Sequence, residues 1–191
     1  MGIINYIAEP TRYGAAFRPG NLIIRTARAD ADGILAIDPG LYIGWAYKCG
    51  DYITAGFEDL SKSPKLYGTT EELMELLIKE LNPECAVVEK YFAMGHALEN
   101  RTVEQRGAIK AAFERADLAW DELHPATVRK CLGIPGKPKD AQIREAVAAY
   151  YHIPTQYNPD PKSRRKKLFR ADVFDALALI IAKEMEDVKD K

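Results

Sequence analysis

The chain has 191 residues, enough for one domain with a full core, and its 47% hydrophobic and 29% charged residues are ordinary for a globular protein. The formal net charge of -1 does not advertise a nucleic-acid partner, although catalytic acids would cancel basic residues placed elsewhere. Cys49, Cys85 and Cys131 form no Cys-x-x-Cys pair, and His96, His124 and His152 lack metal-ligand spacing, which argues against a disulfide framework or a zinc site. No apolar run approaches the roughly 20 residues of a membrane span, and the start of the chain lacks a secretory pattern, so a cytoplasmic protein is expected, with no membrane partner.

Residues 1–33 read as an extension. Pro10, Gly14, Pro19 and Gly20 punctuate it, and only Leu22 to Thr26 resembles a strand. From Ile34 a second unit, residues 34–191, begins with three strand-like runs: Ile34 to Asp38, Tyr42 to Tyr47 and Tyr52 to Phe57. Pro39-Gly40 and Gly50-Asp51 supply short turns, so the runs form an antiparallel meander. Thr69 or Thr70 is placed to cap a helix whose apolar face carries Leu73, Leu76, Leu77 and Ile78. Cys85 to Val88 is a short, wholly apolar strand, as expected when both faces are buried. A helix over about 101–116, a strand over 118–123 and shorter helices over 125–132 and 138–151 follow. Pro154, Pro159 and Pro161 then argue for a loop to Arg170, and Asp172 to Met185 closes the chain as an amphipathic helix. This order predicts an α/β fold of the ribonuclease H-like kind. It has a mixed five-stranded sheet with three antiparallel strands, flanked by helices. In that arrangement the first and fourth strands of this unit lie adjacent and parallel, and their carboxyl ends meet.

Isolated acids sit where that topology would gather them. Asp38 ends the first of these strands and Glu89 follows the fourth, positions where a carboxylate is costly unless paired or bound to a cation. Asp172 and Asp175 are three apart, so they share one helix face. Asp38 could be only a turn residue of Asp-Pro-Gly, and Asp172 only an acid favoured by the helix dipole. Taken together, the four repel each other when they converge, and divalent cations are the usual relief. This pattern predicts a metal-dependent phosphodiester nuclease. Magnesium suits an all-oxygen shell, manganese should substitute, and a pair of ions about 3.5–4 Å apart would serve an in-line displacement.

The motifs carry a resemblance. Ile34-Leu-Ala-Ile-Asp-Pro-Gly40 with Gly44-Trp45-Ala46, Val87-Val88-Glu89 with Tyr91-Phe92, and Gln105-Arg106-Gly107 come first. His124-Pro125-Ala126-Thr127-Val128-Arg129-Lys130 and Ala171-Asp172-Val173-Phe174-Asp175-Ala176 complete the series. In this order and spacing they resemble the RuvC family of Holliday-junction resolvases, from Ile34 to the C-terminus. The resemblance implies a homodimer that binds four-way DNA junctions and nicks two strands symmetrically, leaving 5′-phosphate and 3′-hydroxyl ends. It assigns the catalytic, metal-binding acids to Asp38, Glu89, Asp172 and Asp175, a stacking aromatic to Phe92, and a basic DNA contact to Arg129. The chain departs from the pattern at Asp140, where a lysine is expected beside Lys139 and Lys137. The extension and the segment from Pro159 to Lys167 depart too. Divergent members of this kind are carried by bacterial viruses.

Further DNA contacts are expected from Lys130, Lys137 and Lys139, and from Arg164, Arg165, Lys166 and Lys167 in a basic run that ends at Arg170 just before Asp172. Such contacts grip phosphates without reading sequence. Tyr91 is an alternative to Phe92 as the stacking ring. Trp45 and Trp120 are read as core, and His124 has no assigned role. One face of the 101–116 helix, with Val103, Arg106, Gly107, Lys110 and Ala111, is either a dimer surface or ordinary packing on the sheet. Two other functions fit the same residues: a nuclease for flaps, forks, other branched DNA or RNA–DNA hybrids, and an inactive junction-binding protein.

Overall fold

The structure, a computed structural model, describes residues 3–4, 22–25, 33–40, 42–60, 66–90, 99–134, 136, 138–157, 167–168 and 170–189. In chain order the strands and helices are β1 (Ile3–Ile4), β2 (Leu22–Arg25), β3 (Ile34–Asp38), β4 (Tyr42–Cys49), β5 (Tyr52–Asp59), α1 (Leu66–Leu81) and β6 (Cys85–Glu89). They continue with α2 (Glu99–Arg115), β7 (Ala119–Leu123), α3 (Pro125–Cys131), α4 (Asp140–Tyr151), β8 (Gln156–Tyr157), β9 (Lys167–Leu168) and α5 (Ala171–Lys189).

The expected mixed five-stranded sheet is present as β5-β4-β3-β6-β7, with the meander antiparallel and β3, β6 and β7 mutually parallel. Two short strands of the extension widen it to seven: β2 pairs antiparallel with β5, Ile23 opposite Thr54, and β1 pairs with β2. The physical reason is the outer edge of β5, whose backbone N–H and C=O groups would otherwise lack ladder partners. The run from Pro154 to Arg170, expected as a loop, also contains structure: β8 and β9 form a separate antiparallel pair with Gln156 opposite Leu168.

Strand alternation sorts the core into two layers. Leu35, Ile37, Ile43, Trp45, Tyr47, Ala86 and Val88 face α1 and α2. Their neighbours Ala36, Ala46, Ala55 and Val87 face α5, which buries Val173, Phe174, Ala176, Leu177, Ile180 and Ile181 against them. The α5 side of the sheet is thus built of small residues, and the helix nests close to it. Among the described residues no helix is long and apolar enough to cross a membrane.

Two further sequence expectations need adjusting. Helix α1 starts at Leu66, so Thr69 and Thr70 lie inside it, and Thr70 is buried with its hydroxyl lacking a hydrogen-bond partner. Burial of Leu66 in the layer shared with α2 extends the helix upstream of the threonines, so packing overrides the capping signal. Trp45 is core as expected. Trp120 only half enters it, with Lys110 Nζ 4.9 Å from its ring centre.

Candidate active site

Parallel pairing of β3 and β6 sets Ile37 beside Val88, so the next residues, Asp38 and Glu89, end neighbouring strands together. Two-residue alternation then decides which way they face. Asp38 has the parity of Ala36 and Glu89 that of Val87, so both project to the α5 side. Asp172 and Asp175 lie in the first two turns of α5, over that same corner.

Gly44 makes the corner possible. It is the β4 partner of Asp38, and a β-carbon there would overlap the backbone carbonyl of Asp172. Only a glycine lets the start of α5 lie directly on β4 at this point.

The electrostatics record the convergence. Burial first, then the charges of Glu89, Asp175 and Asp172, hold the Asp38 carboxyl well above the usual carboxylate range. Burial raises Glu89 too, against the opposing charges of Arg129 and Arg106. Asp175 is pushed up to about 7 by burial, then by Glu89, Asp172 and Asp140, with Arg144 opposing. Mutually repelling, partly desolvated carboxylates form the all-oxygen donor set that a hard divalent cation takes. The donors do not stand as a finished cage: among the described residues no three His, Cys, Asp or Glu side chains are gathered closely enough to hold a metal ion. Asp172 is the acid drawn aside. Its Oδ2 accepts from Arg170 Nε at 2.8 Å, and its charge is the weakest of the three acting on Asp38.

Cationic side chains ring the acids. Arg106 Nη1 donates to the Glu89 carbonyl at 3.0 Å and its other nitrogen bonds Glu122, which Lys110 also approaches at 3.1 Å. Arg106 therefore steadies the end of β6, while Val103 and Gly107 on the same helix are exposed. Arg129 and Lys130, on α3, line a cavity of about 400 Å³ with Gly133 and Gly136. His124 caps that helix, its Nδ1 accepting from the Ala126 N–H at 2.9 Å. Gln142 turns back to accept from the Lys139 N–H at 2.9 Å, which makes Lys139 the exposed cap residue of α4.

Arg144 is a neighbour of the acids that sequence reasoning missed, and Arg170 and Asp140, singled out for other reasons, also act on them. Spacing held the only available signal: Asp140 and Arg144 are four apart on one helix, and Arg170 is two before Asp172. Phe92, Tyr91, Lys137, Arg164, Arg165 and Lys166 lie outside the described residues, as does the side chain of Lys167.

The chain is similar to known proteins in sequence and in fold. The chain is 28% identical over 166 residues to the crossover junction endodeoxyribonuclease RuvC of Prochlorococcus marinus (strain MIT 9301), covering 81% of this chain and 97% of that one. It is 26% identical over 157 residues to the RuvC of Orientia tsutsugamushi (strain Boryong), covering 77% and 99%.

The chain is similar to RuvC over most of its length.

No protein-family model matches it. The fold agrees with the RuvC likeness: Thermus thermophilus RuvC in complex with Holliday junction substrate superposes with a TM-score of 0.65 at 15% identity, over 83% of this chain and 96% of that one. Thermus thermophilus RuvC in a further structure gives 0.63 at 16% identity. The RuvC likeness spans nearly the whole of each relative, so the added length in this chain is its own.

Proposed function

We propose that this chain is a crossover junction endodeoxyribonuclease that resolves four-way DNA junctions by paired nicks, using divalent cations held by Asp38, Glu89, Asp172 and Asp175. The observation that carries the reading is the convergence of these acids from β3, β6 and α5 into one mutually repelling group. The RuvC relatives, named crossover junction endodeoxyribonucleases, support the substrate class. Residues 34–191 form the nuclease domain and residues 1–33 an added extension.

Bound divalent cations, magnesium with manganese able to substitute, would supply the positive charge that activates water and offsets charge building on the phosphate. The protein's own contributions are positional. Asp38 and Glu89 are fixed by the parallel β3–β6 register, and Arg106 ties the Glu89 backbone to α2. Gly44 seats the end of α5, so Asp172 and Asp175 hold their places on a rigid helix. Arg129, Lys130 and Lys139, with Lys137 and the basic run Arg164 to Lys167, grip phosphates beside the site, and Phe92 stacks on an opened base. A homodimer would bring two such sites to the two strands to be cut.

Purified protein incubated with labelled four-way, three-way, flap and linear DNAs, with and without magnesium, tests the reading. Paired symmetric nicks in the four-way junction alone, and only with the cation, are expected. Equal cutting of flaps would replace the substrate. Junction binding without cutting would make the chain a binding protein.

A further inference from the structure

Asp38, Gly44 and Phe57 lie in one row across three strands, because Asp38 pairs with Gly44 and Gly44 with Phe57. All three therefore present the same face, the one α5 covers. Above the row, Asp172 sits on Gly44, and the Arg170 guanidinium carbon lies 4.9 Å from the Phe57 ring centre. The same guanidinium lies 3.6 Å from the Tyr42 ring centre, closer than the Phe57 ring. Arg170 thus holds Asp172 from the side away from Asp38, with its Nε 2.8 Å from Oδ2.

From this juxtaposition we propose that Arg170 is a displaceable counter-ion, held on a Tyr42–Phe57 ring shelf, that occupies the Asp172 carboxylate until a divalent cation takes it over. The inference rests on the metal-site reading above and deepens it. A guanidinium is always charged and its plane stacks on rings, so the shelf fixes a permanent positive charge at this spot. The guanidinium occupies Oδ2 alone, and a second cation on the same carboxylate is repelled by it wherever it binds. In this proposal the incoming cation displaces the guanidinium from Asp172, so the strength of the pair sets how tightly the site takes its cation. The rings keep the released guanidinium beside the site. Arg170 acts through Asp172, which makes it a positioning residue.

Calorimetric titration of calcium into the metal-stripped full chain reads this without any cleavage. Arg170→Gln should bind calcium about three- to fivefold more tightly, the range a half-exposed ion pair can supply. Tyr42→Leu should also tighten binding although it removes no charge, because the shelf is lost; Phe57→Leu serves in its place if Tyr42→Leu melts early. A gain in affinity is not what structural damage produces. Unchanged or weaker calcium binding by Arg170→Gln overturns the proposal. Tighter binding by Arg170→Gln with wild-type binding by both shelf variants also overturns it, since only long-range charge would then be at work. Absence of calcium binding by the wild-type chain would overturn the metal-site reading itself, a distinct result.

Discussion

The backbone carbonyl of Asp172 rests on Gly44, the residue that pairs with Asp38 across β3 and β4. One contact therefore sets both the depth of α5 on the sheet and the approach of its acids to the strand acids. Gly44→Ala would drive a methyl group into a helix backbone that cannot swing aside.

Overpacking of that kind costs about 1–3 kcal/mol. Thermal melting should show Gly44→Ala lowered by roughly 3–10 °C, together with a loss of cleavage larger than the loss of junction binding. Gly107→Ala is the control, since a β-carbon there meets nothing nearer than the Tyr67 ring at 3.8 Å. A helix-interior alanine should stabilise by about 0.5–1 kcal/mol. A Gly44→Ala protein as stable and active as wild type would remove the contact from the account.

Asp175 predicts a pH dependence of the metal-free protein. Its carboxyl is raised to about 7 in the fold, so between the unfolded value of about 4 and about 7 the folded state keeps a proton that the unfolded state has lost. Stability from this group is then fully present below the unfolded value and falls as pH rises through the window, by a few kcal/mol at most. Asp38 and Glu89 shift in the same direction. Melting in chelator from about pH 4 to pH 8 should show the decline, and Asp175→Asn should flatten it. Cations compete with that proton, so calcium affinity should climb over the same range. A melting temperature rising across the window in wild type would contradict the clustering.

Arg129 acts electrostatically on Glu89 and lines the cavity along α3 with Lys130. Arg129→Gln should weaken junction and linear duplex binding together and reduce the slope of log affinity against log salt by about 1. Fluorescence anisotropy over a salt series measures this, and an unchanged slope would mean that Arg129 contacts no phosphate.

Phe92→Ala separates distortion from chemistry. A stacked base is worth about 1–3 kcal/mol, so the variant should cut a four-way junction poorly and a nicked, pre-opened junction nearly as well as wild type. Equal loss on both substrates would assign Phe92 to the fold or the chemistry.

Most of the acid site was legible because it is written in short-range patterns. Apolar runs ended by Asp38 and Glu89 mark strand ends, and the three-residue step from Asp172 to Asp175 marks one helix face. Residues that act across the sheet were not legible. Arg170 sits in a basic run that reads as a phosphate grip, and nothing local says that Tyr42 and Phe57, more than a hundred residues upstream, will shelve it. Arg106 read as part of a dimer surface or of ordinary sheet packing, because its partners, the Glu89 carbonyl and Glu122, lie on strands far from it in sequence or across a turn. The strand at Leu22 was visible, but its pairing with β5 depends on which sheet edge is left open. Thr69 and Thr70 misled because a cap signal is worth little beside the burial of Leu66.

The central claim is that Asp38 and Glu89 perform the cutting and are not needed for the grip. Its most direct test is cleavage and binding of one labelled four-way junction by Asp38→Asn and Glu89→Gln in magnesium. Both variants should bind the junction nearly as wild type does and cut it not at all, and in chelator both should melt higher, because a repelling charge is gone. Either variant retaining more than a small residue of wild-type cutting would contradict the account.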